Sequence, residues 1–218
     1  MCSSDLFPSG GEPNFVNAIK RLNGESYSGF QGFVFQDTDI YKTLEAISYT
    51  LSVIESDTDP EMAAQKENLK EVAERWISYI EQIQYADGYL NTYFALRANT
   101  SSGGGYGNTA THRWFDMSQH EMYTLGHFFE AAVAYTRYTE SIGQPDYRLY
   151  VVAKRAADHV NGLFGEGGSR DGEVPGHEEI ELALVKLAKL VEENEGEGTG
   201  AKYDALAKHL IDGRGRNY

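Results

Sequence analysis

Cysteine is almost missing from this 218-residue sequence, with Cys2 the single example. One thiol makes neither an intrachain disulfide framework nor a multi-cysteine metal site. Basic residues are also scarce: 19 Lys and Arg stand against 33 Asp and Glu, giving a formal charge of −14. Phosphate neutralisation demands basic patches, so this balance argues against nucleic acid as a partner. It argues equally against anionic membrane surfaces. No apolar run approaches the roughly 20 residues needed to span a bilayer. A basic start followed by an apolar stretch, the mark of a secretion signal, is also missing. That favours the cytoplasm, unless the natural N-terminus lies upstream. Gly-x-Ser-x-Gly, phosphate-loop and dinucleotide fingerprints do not occur.

What is present is aromatic. Fifteen Tyr and ten Phe suit a thick core. They also suit a sugar site, where ring faces stack on C–H surfaces. The opening is unusual, because Cys2 to Leu6 reads like the translation of a sequencing-adapter oligonucleotide. Residues 1–36 show no sustained period and are expected to form an irregular lead-in, followed by one unit over 37–218.

From Thr38 the pattern becomes helical, with Ile40, Leu44, Ile47, Leu51 and Ile54 in register. Six helices are expected, at about 38–55, 60–85, 117–140, 146–163, 177–195 and 200–213. Asp59 and Pro60 supply a cap and a first helical residue for the second. Residues 95–112, with their run of Ser and Gly, read as a surface loop of lid length. The first and third helices are poor in charge and the second has one polar face, so inner and outer helices alternate. That makes an all-α fold, an (α/α)₆ toroid represented by about three hairpins. A straight α-solenoid is the rival.

Each odd helix begins with a polar cluster: Asp37 to Lys42, His120 to Tyr123, and Gly176 to Glu181. If the odd helices are parallel neighbours, the clusters meet at one mouth. His120 and His127 lie two turns apart on one face. They read as zinc ligands without the usual His-Glu-x-x-His spacing, as core histidines, or as donors to a polar ligand. Glu178 with Glu181, and His177 with Glu181, are spaced to meet on a helix. Either they hold hydroxyls or they are ordinary N-terminal acids favoured by the helix dipole. Asp37 and Asp39 are caps, or carboxylates for glycosidic acid/base work.

Taken in order, these blocks resemble glycoside hydrolase family 127, whose characterised members include β-L-arabinofuranosidases. The likeness runs through Asp37-Thr38-Asp39-Ile40-Tyr41-Lys42, Asp87-Gly88-Tyr89-Leu90-Asn91-Thr92-Tyr93-Phe94, and His120-Glu121-Met122-Tyr123. It continues through Gly126-His127, Ala157-Asp158, Gly176-His177 with Glu179-Ile180-Glu181, and Lys202-Tyr203. Glu178 stands where the family usually has proline, and the loop at 99–111 is longer and richer in Gly.

The resemblance implies a bacterial retaining hydrolase that releases non-reducing-end β-L-arabinofuranose, or a similar sugar, from glycans or glycoproteins. It implies a cysteine nucleophile on Zn²⁺ held by further cysteines and a glutamate, with another glutamate as acid/base. None of these matches a residue here, so the catalytic groups are expected downstream of Tyr218 and this chain alone is expected to be inactive. Zn²⁺ belongs to the full-length enzyme, which could be a homo-oligomer. The substrate-binding candidates are His120 and His177, followed by Asp37, Asp39, Tyr93, Glu121 and Glu179. The alternatives are another toroid sugar enzyme (an unsaturated-uronyl hydrolase or an epimerase) and a non-enzymatic helical-repeat binding module. Three hairpins cannot close a six-hairpin ring and leave apolar edges open, so marginal solubility is expected.

Overall fold

The computed structural model describes residues 11–97 and 113–215. These residues form eight α-helices and a short 3-10 turn, with no strand among them. The helices are α1 (Glu12–Leu22), α2 (Asp37–Ile54), α3 (Pro60–Ile83), α4 (Thr92–Arg97), α5 (Glu121–Ser141), α6 (Arg148–Phe164), α7 (Ile180–Glu195) and α8 (Ala201–Gly213).

They pack in two layers. In the inner layer α5 lies between α2 and α7, and α3, α6 and α8 pack side by side behind them. Each inner helix turns back into its outer partner, giving the three expected hairpins of an α/α toroid. Burial follows the layering. Helix α5 is enclosed on most of its circumference, including Met122, Leu125, Phe128, Phe129 and Val133. The outer α3 buries one stripe, Val72, Ala73, Trp76, Ile77, Ile80 and Ile83. Each large side chain so buried contributes roughly 1.5–3 kcal/mol. The start of α3 is as the sequence predicts: Pro60 opens it, and the Asp59 carboxylate accepts from the Glu61 (2.8 Å) and Met62 (3.4 Å) amides.

Two expectations need correction. The lead-in is not irregular throughout, because α1 occupies Glu12–Leu22 and packs on α3 and α4. Phe15, Ala18, Ile19 and Leu22 stand at helical spacing along it, and two of its four buried residues are the polar Asn14 and Asn17. The fifth expected helix begins at Ile180, not 177. His177 and Glu181 therefore share no helical face. Glu181 instead accepts from Arg214 Nη2 (2.6 Å) and from the Glu179 amide (3.2 Å). Most of the expected lid loop, residues 98–112, lies outside the described residues, as do 1–10.

Candidate functional site

The N-terminal ends of α2, α5 and α7 meet at one face, and a cavity of about 840 Å³ opens there. It is lined by Phe33, Val34, Phe35, Asp116, Ser118, Gln119, His120, Tyr123 and His177. His120 and His177 touch edge to face, their ring centroids 4.5 Å apart. Tyr123 stands edge-on to both, at 5.6 and 5.8 Å, and receives a hydrogen bond from Lys42 Nζ (3.0 Å).

Neither histidine sits within a helix. Asp116 caps the 3-10 turn at Met117–Gln119 by accepting from the Ser118 amide (2.8 Å). The chain then passes through His120 at φ 64°, a left-handed conformation rare outside glycine, before α5 begins. His177 lies in the bend before α7, and two glycines bring that segment in. The Gly176 amide donates to the Met117 carbonyl (3.1 Å), with the Ser118 backbone only 3.0 Å from where a Gly176 Cβ would stand. A Cβ on Gly126 would stand 2.6 Å from Glu179 Cγ and 2.8 Å from the Ile180 amide nitrogen. A hydrogen atom at these positions is what allows the segment to cross α5.

The electrostatics favour a neutral imidazole at His120. Burial, with His177 alongside, lowers the pKa of His120. The His177 Nδ1 lies 3.0 Å from the Gly176 carbonyl, which only accepts, so Nδ1 carries a proton and donates there. Behind Tyr123, His127 Nδ1 pairs with Glu179 Oε1 (3.0 Å). Burial and the nearby Lys42 hold His127 down at about 4. Deeper still, Lys186 bonds the buried Glu130, tying α7 to α5.

The family model described as "Beta-L-arabinofuranosidase, GH127 catalytic domain" matches residues 9–218. The chain belongs to glycoside hydrolase family 127. It is 38% identical over 205 residues to the non-reducing end β-L-arabinofuranosidase of Bifidobacterium longum subsp. longum, spanning 93% of this chain but 26% of that protein. The crystal structure of a GH127 β-L-arabinofuranosidase from Geobacillus stearothermophilus T6 matches with a TM-score of 0.71 and 33% identity, over 97% of this chain and 28% of that one. A second GH127 β-arabinofuranosidase structure matches with the same TM-score at 28% identity, over 92% of this chain and 28% of its own.

Within this GH127 chain, the seven residues singled out by sequence separate. His120 and His177 line the cavity. Glu179 stands just behind it, against His127. Asp39 is exposed and accepts from Gln36 Nε2. The other three are internal. Asp37 is buried and accepts from the Thr92 amide (2.8 Å) and hydroxyl, tying α2 to α4, and burial pushes its pKa up to about 6. Tyr93 is buried edge-on to Phe30. Glu121 is buried and accepts from the Tyr89 hydroxyl (2.5 Å) and the Trp114 amide (2.8 Å), with burial pushing it up to about 7. The sequence singled out neither Phe33 nor Phe35. They precede α2 in a loop without periodicity, and the one local signal is Gly32, whose φ of 90° marks a turn.

Proposed function

We propose that this chain is the sugar-gripping region of a longer glycoside hydrolase acting on non-reducing-end β-L-arabinofuranosyl groups. The observation that carries the reading is the His120–His177 pair on the cavity wall. Imidazole nitrogens form directional hydrogen bonds, so two such rings set steeply to one another suit neighbouring hydroxyls on a small ring. Tyr123 and Lys42 extend the polar wall. Glu179 positions His127 behind it, and Asp37 and Glu121 brace the helix starts that carry the site.

Bond cleavage is assigned elsewhere. A retaining hydrolase needs two catalytic groups flanking the scissile bond. Asp116 is the one carboxylate among the described lining residues, and it is engaged with Ser118. A zinc–thiolate centre does not fit these residues. Among those described, no three His, Cys, Asp or Glu stand close enough to hold a metal ion, and Cys2 lies outside them. Nucleophile, acid/base and zinc would then belong to a part of the protein beyond these 218 residues.

The test is an NMR titration of the chain with methyl β-L-arabinofuranoside. Saturable shifts at the His120 and His177 rings, lost in H120A and H177A, are expected. Binding that survives both substitutions would overturn the assignment.

A further inference from the structure

The cavity offers more room than one pentose fills. Its volume of about 840 Å³ lies high in the range of about 300–1,000 Å³ that encloses drug-sized ligands. Phe33 and Phe35 make one wall of it. Their rings are 3° from parallel with centroids 5.3 Å apart, and Phe35 leads on to His120 at 5.0 Å. An aromatic surface thus runs unbroken from the rim to the histidine pair. A lone exposed aromatic residue is ordinary. Phe33, however, is 53% exposed while standing in register with a second ring beside a polar pair.

The loop that carries the wall is fixed by hydrogen bonds within the protein. Asn14, fully buried in α1, donates to the Gln31 carbonyl and accepts from the Gln31 amide, both at 2.9 Å. Asn17 accepts from the Ser28 amide (3.1 Å). Gln36 closes the turn: its amide donates to the Phe33 carbonyl (2.8 Å) and its Oε1 accepts from the Phe33 amide (3.3 Å). A surface so held loses little conformational freedom when it binds.

We propose that the Phe33–Phe35 wall is a second sugar subsite, stacking against the ring to which the β-L-arabinofuranosyl group is attached. Flat apolar rings match the C–H face of a sugar and ask little of its hydroxyl pattern. The subsite therefore sets how many units are gripped, while the histidines set which unit is terminal. This rests on the histidine pair holding that terminal unit.

The experiment compares two ligands on the 218-residue chain by NMR titration. One is methyl β-L-arabinofuranoside, and the other is a disaccharide carrying the same group at its non-reducing end. The disaccharide is expected to bind about tenfold tighter, the equivalent of roughly 1.4 kcal/mol. In F33A that ratio falls to near one, and F33W restores it. F33L, apolar but without a ring face, leaves it near one. A ratio that F33A or F33L leaves at the wild-type value overturns the subsite. If H120A abolishes binding of both ligands while F33A leaves the ratio unchanged, the subsite fails and the histidine assignment stands. If H120A binds both ligands as wild type does, the histidine assignment fails first.

Discussion

Glu121 accepts the Trp114 amide at 2.8 Å, and so closes a loop whose two ends are both left-handed. Trp114 (φ 60°) and His120 (φ 64°) are the non-glycine residues with positive φ among those described. Such conformations persist only where the surroundings over-determine them. Here the Tyr89 hydroxyl holds the same carboxylate from the other side, and Arg170 Nη2 donates to the Trp114 carbonyl. Glu121 is a brace for the segment that presents His120.

Two buried carboxyls are expected to make stability fall as pH rises from about 4 towards 7. Glu121 and Asp37 titrate near 7 and 6 when folded, against ordinary values of 4.5 and 3.8. The folded state then holds more protons than the unfolded chain, so their contribution is complete at low pH and lost as pH rises through the folded values. Each is worth roughly 3 kcal/mol across its window. His127 acts in the opposite sense: its folded value of about 4 lies below the ordinary 6.5, so stability is also lost as pH falls from 6.5 towards 4. Melting temperature should peak on the acid side of neutrality. E121Q should flatten the slope between about pH 4.5 and 7. It should also cost about 1–3 kcal/mol, since one amide oxygen replaces two acceptors. Thermal melts across pH check both, and an unchanged slope in E121Q rejects the assignment.

Two helical glycines should respond oppositely to alanine. At Gly126 a methyl group meets Glu179 and the Ile180 backbone, so G126A should cost about 1–3 kcal/mol and weaken sugar binding by displacing His177. Nothing lies within 4 Å of a Cβ at Gly162 in α6, where alanine should stabilise by up to about 1 kcal/mol. Chemical denaturation of both variants gives the comparison, and equal effects would contradict it.

The chain should self-associate. Tyr49 and Val53 on α2, and Leu182 and Val185 on α7, are exposed although they belong to the inner layer. Sedimentation velocity should show species growing with concentration, and V53S with L182S should reduce them.

No hydrolysis is expected from this chain alone. Incubation with an aryl β-L-arabinofuranoside, with and without added Zn²⁺, should release no aglycone above the uncatalysed rate. Turnover abolished by a substitution at the cavity would refute the assignment of the catalytic groups elsewhere.

The layering was readable in the sequence because α2 and α5 are poor in charge while α3 has one polar face. The meeting of His120 and His177 followed from polar clusters at the starts of alternate helices. In α1 the apolar spacing (Phe15, Ala18, Ile19, Leu22) lasts only two turns, and neither signal reaches the Phe33–Phe35 wall, which the bonds of the buried Asn14 to the Gln31 backbone help to hold. The roles of Asp37 and Glu121 were hidden for a related reason. A carboxylate at a helix start reads the same whether it faces a ligand or a neighbouring amide, and only the burial of Thr92 and Trp114 decides between them.

The bond from the Gly176 amide to the Met117 carbonyl joins the two stretches of chain that carry the histidines. It makes them a single mechanical part. A ligand that draws His177 forward pulls the turn before His120 with it, so the grip can tilt on the ends of α5 and α7 but cannot open like a pair of jaws. The aromatic wall beside it is tied to α1 through Asn14 and Asn17, so a sugar of the wrong width meets two fixed surfaces.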